Sequence, residues 1–333
     1  MGVTIVDVAQ RASVSAMTVS RVLKGVRVNE KNKLAVEKAI EELGYKPNLS
    51  ARAMRSNRTN IIGIVVPDII NPFYAELVQM LEEQLNKSGY HLLISFVNNH
   101  QSMAESVNYL VSRGIDGIVF CCYSDLMNVY EYLEKNYSDL PKIILDKLDV
   151  PETAGAGMVF ADGNYGIRCM TELLIDSGCR KIAMITSELE YGVTNERLRA
   201  YKDVLREHGM EVREENIFKG PFRMETGAAA AKYFMSFDEM PDGIVAANDF
   251  MAIGALQYLV DNGISVPEQM SVAGFDGVYL GDICRPKLTT YEVNIRGIAE
   301  KVAELLTEHL DRGKSYTGLY PIAGRVKVKG STK

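Results

Sequence analysis

The sequence lacks the features of membrane, secreted and metal-binding proteins. No apolar run approaches the roughly 20 residues that a membrane span requires. The start, MGVTIVDVAQ, has neither the basic residues nor the cleavage site of a secretory signal. The 5 cysteines form no CxxC pair, and the 4 histidines are far apart. We therefore expect a cytoplasmic protein without a metal, a disulfide framework or a membrane association.

The signatures of several enzyme classes are missing as well. The sequence contains no GxxxxGK[ST] phosphate loop, no GxGxxG after a strand, no GxSxG elbow and no HExxH helix. No nucleophile and base stand out as a pair. We therefore expect no cofactor and no catalytic residue, and a sugar- or nucleotide-processing enzyme is the weaker alternative.

Charged residues are unevenly distributed along the 333-residue chain. The net charge is −6, yet residues 1–60 contain eleven Lys and Arg against five Asp and Glu, which leaves them at +6 and the remainder at −12. A chain of this length favours two or more domains. A basic head on an acidic body indicates a polyanion that binds the head alone. A chance fluctuation of charge over a short segment is the alternative.

The basic head has the pattern of three short helices. In TIVDVAQRA, Thr4 and Asp7 have the spacing of a capping box. After SVS, a second helix is predicted from Ser15 through AMTVSRVL. A third, EKNKLAVEKAIEEL, should end at Gly44, because glycine readily adopts the left-handed conformation at a helix end. Two short helices joined by a tight turn and braced by a third are typical of a helix-turn-helix.

The second helix is the predicted recognition helix. Arg21 can make a bidentate contact to guanine, whereas Ala16 and Met17 offer only apolar contact, for instance to a thymine methyl group. The helix should bury an apolar face formed by Val19, Val22 and Leu23. Hydroxyl groups that can bond phosphates and fix the register come from Ser15, Thr18 and Ser20. A protein-interaction module with an incidental arginine is the alternative.

From Ile61 onward, short apolar runs alternate with amphipathic segments. Two helices are predicted at Phe73–Lys87 and Ser102–Arg113, and the apolar runs include IIGIVVP, GIVFCCY and KIAMITS. Continuous apolar strands between helices indicate parallel sheets covered on both faces. Two such halves of about five strands each predict a bilobed α/β body, and its ligands should bind at the carboxyl ends of the strands.

Polar residues occur where those strands end, and they are the candidates for a ligand site. Asp146 ends KIILD, Asp276 ends MSVAGFD, and Asn248 and Asp249 end GIVAAND. These side chains can bond vicinal hydroxyls. An arginine that opens a helix and an aromatic ring after NIFKGP can add a clamp and a stacking face: Arg197 and Phe222. For Asp249 we favour a structural role, the capping of the helix that follows it.

The segments VTIVDVAQRASVSAMTVSRVLKG and ELGYKPNLSARAM resemble the LacI/GalR family of bacterial transcription regulators. The resemblance extends from about Val3 to RVKVKGSTK. It implies a hinge helix that orders on operator DNA, pairs with its dimer mate and inserts an apolar residue into the minor groove. The inserted residue here is Met54, where the family usually has leucine. The set of predicted DNA contacts outside the recognition helix is Thr4, Asn29, Tyr45, Asn48, Ala51, Arg52, Met54 and Arg55.

The resemblance also implies a periplasmic-binding-protein type I fold for the body, with an effector between its lobes. Ala200 replaces the glycine usual after the arginine of this site. Asp162 and Asn164 lie where the chain should cross between lobes, in a hinge or a site role. The candidate effector residues are Tyr74, Asp146, Phe160, Arg197, Phe222, Asn248 and Asp276.

These observations predict three segments: a helix-turn-helix domain at 1–47, a hinge at 48–60 and a body at 61–333. The N-lobe should comprise 61–160 and 292–320, and the C-lobe 163–290 and 321–333. We expect a repressor that binds pseudo-palindromic double-stranded DNA as a homodimer and responds to a small-molecule effector, most simply a carbohydrate. No leucine heptads accompany VKGSTK, which favours a dimer over a tetramer. A nucleobase effector, a protein co-regulator and a cytoplasmic carbohydrate-binding protein are the alternatives.

Overall fold

The computed structural model describes residues 3–23, 25–45, 58–97, 102–121, 126–147, 155–188 and 193–333. The chain divides into two compact units, a head within residues 1–59 and a body from residue 60 to 333. Among the described residues, no helix is both long enough and apolar enough to cross a bilayer.

The head contains helices α1 (Ile5–Arg11), α2 (Ala16–Leu23) and α3 (Glu30–Leu43). The predicted capping box is confirmed, because the Thr4 hydroxyl accepts from the Asp7 amide and the Asp7 carboxylate accepts from the Thr4 amide. Helix α3 ends at Gly44 with φ 59°. The glycine allows the chain to leave the helix in a left-handed conformation without strain.

The head is held together by one small apolar core. Val8, Val19 and Val36 are fully buried and bring the three helices into contact. Leu23, which was predicted on this buried face, is 38% exposed. It is the last residue of α2, so the helix contributes Val19 and Val22 to the core and turns Leu23 outward.

The body contains two sheets and the helices that cover them. The strands are β1 (Ile61–Val66), β2 (His91–Phe96), β3 (Gly117–Phe120), β4 (Lys142–Ile144), β5 (Ala156–Ala161), β6 (Ile182–Thr186), β7 (Ile217–Lys219), β8 (Gly243–Ala246), β9 (Ser271–Asp276), β10 (Thr289–Glu292), β11 (Gly318–Ile322) and β12 (Arg325–Lys327). The α-helices are α4 (Pro72–Asn86), α5 (Met103–Ser112), α6 (Leu126–Asn136), α7 (Gly163–Asp176), α8 (Val193–Glu207), α9 (Met224–Phe234), α10 (Asp249–Asp261), α11 (Leu280–Ile283) and α12 (Ile295–Arg312).

Among the described residues each sheet has six strands, whereas the sequence pattern predicts about five. The orders are β11-β5-β4-β3-β1-β2 and β12-β10-β9-β8-β6-β7. All pairs are parallel except β10 with β12, which is antiparallel. The strands absent from the prediction are TTYE, GLYPI and RVK, which are short and carry polar residues or a proline rather than a continuous apolar run.

The chain crosses three times between the two sheets and their helices. The crossings lie between β5 and α7, between β10 and α12, and between β11 and β12. Every residue of β3, β6, β8 and β9 is buried, as expected for parallel strands covered on both faces. Residues at or just after the carboxyl ends of β4, β8 and β9 line one cavity, as expected for ligand sites in parallel sheets.

Candidate functional site

Helix α2 presents the residues expected to read DNA. Ala16, Met17 and Arg21 are exposed, and Met17 reaches 74%. The Ser15 hydroxyl caps α2 by accepting from the Thr18 amide at 3.2 Å. An Arg21 Nη2 donates to the Arg27 carbonyl at 3.3 Å. This exposed contact can be exchanged for a base edge, because the guanidinium has further donors.

The remaining predicted DNA contacts have several locations. Thr4 and Asn29 cap α1 and α3 with their side chains, so their exposed polar groups also have a structural role. Ser20 is half-buried, and Tyr45 packs against the head core. The hinge candidates lie outside the described residues: Asn48, Ala51, Arg52, Met54 and Arg55.

A cavity of about 70 Å³ lies between the two lobes of the body. The polar groups that line it come from opposite sides of the cleft. Six of the seven candidate effector residues meet here: Tyr74, Asp146 and Phe160 from the lobe of the first sheet, and Arg197, Asn248 and Asp276 from that of the second. The cavity thus gathers residues that are far apart in the chain, from Tyr74 to Asp276.

Asn248 follows β8 and is the N-cap of α10. Its Oδ1 accepts from the Met251 amide at 2.9 Å, which fixes the side chain. Its Nδ2 is buried and has no hydrogen-bond partner among the described residues. A buried donor without a partner is costly, so this amide is prepared to donate to a bound acceptor.

Arg197 lies one turn into α8 and is buried by the wall of the cavity. Its Nη1 donates to the Ala247 carbonyl at 2.6 Å. Its guanidinium carbon lies 3.9 Å from the centre of the Phe275 ring, a close cation–π contact. The Nε group has no partner among the described residues. The contact with Phe275 and the hydrogen bond of Nη1 therefore fix the guanidinium, so that Nε is oriented to donate to a ligand.

Asp276 ends β9 in an unusual backbone conformation. Its φ is 122°, which is strained for any residue other than glycine. Burial raises the pKa of its carboxyl group well above the ordinary value; the nearby charge of Arg197 opposes this rise, and Asp249 adds to it. On the facing lobe, Asp146 follows β4, and its Oδ1 accepts from the Lys147 amide at 2.7 Å.

The cavity therefore combines two donors with two carboxyl groups. The Arg197 Nε and the Asn248 Nδ2 can donate, while Asp146 and Asp276 can accept. Aromatic rings complete the lining, among them Phe160. Hydrogen-bond donors, acceptors and flat apolar faces therefore line one cavity, a combination typical of small-molecule sites.

Phe222 does not line this cavity. It lies in a neighbouring cleft of about 270 Å³ together with Asp68 and Arg223, and Tyr74 lines both spaces. Arg223 and Asp68 approach to 3.9 Å across this outer cleft. Phe222 is therefore separate from the cavity that contains the other six candidate residues.

The predicted capping role of Asp249 is wrong. The residue before it, Asn248, caps α10, and Asp249 is the first residue of the helix. The carboxyl group of Asp249 is fully buried and accepts from the turn after β9 and from Thr290. At the first crossing, Asp162 caps α7 by accepting from the Tyr165 amide. Neither Asp162 nor Asn164 lines the cavity.

The sequence interpretation did not identify several residues of the cavity wall. Phe275 supports Arg197, and the signal that could have found it is its position beside Asp276 at the end of a buried strand. Phe73 lies next to the candidate Tyr74 in NPFYAEL. The other apolar lining residues are Leu77, Cys121, Leu145, Ala161, Val293 and Ile298. They belong to ordinary apolar runs, which carry no ligand-specific pattern.

A helix-turn-helix head and a two-lobed α/β body with a polar cavity define the class of DNA-binding regulators with a ligand-binding body. Residues 4–48 match the family model described as bacterial regulatory proteins, lacI family, and residues 171–332 match a periplasmic binding protein-like domain. Catabolite control protein A of Priestia megaterium is 31% identical over 100% of both chains. The chain belongs to the lacI family of bacterial regulatory proteins.

Other relatives agree with this assignment. The HTH-type transcriptional repressor PurR of Vibrio atlanticus is 32% identical over 98% of both chains. The transcriptional regulator CelR in complex with cellobiose superposes with a TM-score of 0.74 at 27% identity, covering 99% of each chain. The lac repressor dimer bound to operator and the anti-inducer ONPF has a TM-score of 0.85 at 23% identity, covering 100% of this chain and 99% of the other. This last likeness concerns the fold alone.

Proposed function

We propose that this protein is a transcriptional repressor whose affinity for its operator is set by a carbohydrate bound between the two lobes. Two heads of a homodimer read the halves of a pseudo-palindromic site, because one recognition helix covers only a half-site. Residues 48–60 connect each head to its body and form the hinge in this proposal.

The observation that carries the choice of a carbohydrate is a pair of buried donors in the cavity that have no partner among the described residues, the Arg197 Nε and the Asn248 Nδ2. These two groups need acceptors, and the carboxyl groups of Asp146 and Asp276 line the same cavity and can accept from a ligand. A sugar hydroxyl does both at once, since its oxygen accepts while its proton is donated. The relative in complex with cellobiose supports a sugar in a body of this fold.

A nucleobase is the second candidate, and the aromatic lining favours it. Phe73, Tyr74 and Phe160 all line the cavity, and a planar base can stack on such rings. Relatives named PurR are among the similar proteins. A base, however, offers few donors for two carboxyl groups, so we place the sugar first.

A thermal-shift screen of neutral sugars, sugar phosphates, nucleosides and nucleobases tests the proposal. A ligand that binds only the folded cavity raises the unfolding midpoint, by an amount that grows with its concentration above Kd. We expect neutral mono- or disaccharides, with cellobiose as the first probe, to raise it. A shift by nucleobases alone would replace the sugar with a base, and the Arg197→Met variant should abolish either shift.

A further inference from the structure

Asp249 lies behind the cavity and is not part of its lining. It is the first residue of α10, and its side chain is fully buried. Its Oδ2 accepts from the amides of Gly277 and Val278, each at 2.8 Å, and its Oδ1 accepts from the Thr290 hydroxyl at 2.6 Å. One carboxyl group thereby joins the start of α10, the turn after β9, and β10.

The turn that Asp249 holds has a demanding conformation. Asp276 has a φ of 122° and Gly277 a φ of 82°. A side chain on Gly277 would place its Cβ 2.7 Å from the Cα of Glu292, so glycine is required by space as well as by conformation. A strained turn persists only when surrounding contacts hold it. Two of those contacts are the hydrogen bonds to Asp249.

The neighbouring strand is shaped to admit the Asp249 carboxyl group. A Cβ on Gly274, in the middle of β9, would lie 2.2 Å from the Asp249 Oδ1. Only glycine at this position leaves room for the carboxyl group against the strand. The contact therefore depends on a glycine in β9, a hydroxyl in β10 and the first residue of α10.

The geometry points to Asp249 as a positioning residue of the effector site, which holds the Asp276–Val278 turn so that the Asp276 carboxyl group faces the cavity. Asp249 does not touch the ligand; it acts through the backbone of the turn. The inference rests on the proposed function in taking Asp276 as an effector contact. It goes beyond that function by assigning a role to a residue outside the cavity.

Amide hydrogen exchange, followed against pH in the ligand-free protein, tests this role directly. Burial raises the pKa of Asp249 to about 7, opposed by its hydrogen bonds with Thr290, Val278 and Gly277 and by the charge of Lys329. Asp276 and Cys284 also face it. Protonation weakens the acceptor, so the protection of the Gly277 and Val278 amides, corrected for intrinsic exchange, should fall as pH decreases from about 8 to about 6. Asp249→Asn should remove this pH step. The same pH profile in both proteins would overturn the assignment.

A matched pair of threonine variants separates positioning from general destabilisation. Thr289 and Thr290 are neighbours in β10 and both are buried, but the Thr289 hydroxyl bonds the Lys329 carbonyl and Thr332 instead of Asp249. Thr290→Val should speed exchange at Gly277 and Val278 and weaken binding of cellobiose by about tenfold. Thr289→Val should lower the melting temperature similarly, yet keep the affinity within about twofold.

The two failures can be told apart. If both threonine variants lose affinity in proportion to their loss of melting temperature, Asp249 is merely structural and the inference is wrong. If the wild-type protein does not bind cellobiose, the choice of this sugar fails, and the exchange of Gly277 and Val278 in Thr290→Val against Thr289→Val still decides the role of Asp249.

Discussion

At the scale of single residues, the cavity contains polar groups that the fold does not satisfy by itself. The Arg197 Nε and the Asn248 Nδ2 are buried without partners among the described residues. Each such donor lowers the free energy of unfolding by about 1–3 kcal/mol relative to a bonded one. Groups of this kind are retained where a ligand supplies the missing acceptor, which is why they identify the site better than its volume does.

Replacing Arg197 by methionine should weaken effector binding strongly while the fold is kept. Methionine preserves much of the packing on Phe275 but removes all donors, and a hydrogen bond to a charged group contributes about 1.5–3 kcal/mol, or roughly 10- to 100-fold in affinity. Arg199→Met is the matched control, since Arg199 is exposed on the same helix. Calorimetric titration measures the affinities. An equal loss in both variants would remove Arg197 from the site.

Asp276 should make the stability of the body depend on pH. Its pKa is raised by burial, so the folded state retains a proton that the unfolded chain has already released. The free energy of unfolding should therefore fall as pH rises through the interval between the ordinary and the raised pKa.

Asp276→Asn mimics the neutral carboxyl group and should show a smaller fall than wild type, the remainder coming from Asp249, whose pKa burial raises to about 7. Denaturant unfolding at about pH 5 and about pH 8 should find the variant more stable than wild type at the higher pH only. Glu207→Gln is the control, because the hydrogen-bonded ion pair with Arg168 lowers the pKa of Glu207. Glu207 therefore affects the free energy of unfolding only at acid pH, and the variant should keep the wild-type fall between about pH 5 and about pH 8. A parallel decline in wild type and Asp276→Asn would show that another group titrates.

Several cavity residues were predictable from the sequence because they coincide with strand ends. Asp146 and Asn248 follow buried strands and Asp276 ends one, and they were selected for that reason. The sequence did not predict that Asn248 caps α10 while Asp249 bonds the turn after β9. The two residues are adjacent at the start of the same helix, and the fold shows which one contacts the turn. Phe222 was selected as the aromatic residue after NIFKGP and through the resemblance, and it lies in the neighbouring cleft of about 270 Å³.

At the scale of helices and strands, helix ends could be predicted from the sequence, whereas the pairing of edge strands could not. The Thr4 and Asp7 capping box and the Gly44 helix end depend on residues within a few positions of one another. Strand β12 pairs with β10 although RVK is short and polar, because the sheet edge supplies its partners. Such a strand has no apolar run of its own to reveal it.

Thr4→Ala should destabilise the head through loss of the cap. The hydroxyl accepts from the Asp7 amide, and removing such a cap costs about 1 kcal/mol. Thr4→Ser keeps the oxygen and serves as the control. Hydrogen exchange of the α1 amides reports the difference. The two variants could instead weaken DNA binding equally, although α1 frays only in Thr4→Ala. This result would show that the methyl group of Thr4 contacts DNA and that the helix cap does not affect DNA binding.

Arg21→Ala should relax base preference at one symmetric position of the operator by about 1–3 kcal/mol. Arg21 is exposed on the recognition helix, and its guanidinium donates to the Arg27 carbonyl. Lys38→Ala, exposed on α3, is the control and should leave the preferred sequence unchanged. Selection of bound sequences from a random pool measures the preference. An unchanged motif for Arg21→Ala would exclude this residue from base readout.

At the scale of the whole molecule, the chain contains a helix-turn-helix head and a body built of two lobes. Three crossings connect the lobes, and the polar cavity is lined from both. A ligand that bonds both lobes favours the arrangement in which they are close, and this difference in affinity is the free energy available for regulation. Coupling between two sites in one protein is typically 1–3 kcal/mol, or about 5- to 150-fold in affinity.

The most direct test of this account is the affinity for operator DNA measured with and without the cavity ligand. Fluorescence anisotropy would follow wild type and Arg197→Met on a selected pseudo-palindromic duplex and on a random duplex, at two salt concentrations. We predict salt-dependent preference for the palindrome in both proteins, and a shift of about 5-fold or more with saturating sugar in wild type alone. Equal affinity for both duplexes, or a sugar that binds wild type without changing its affinity for the operator, would contradict the account.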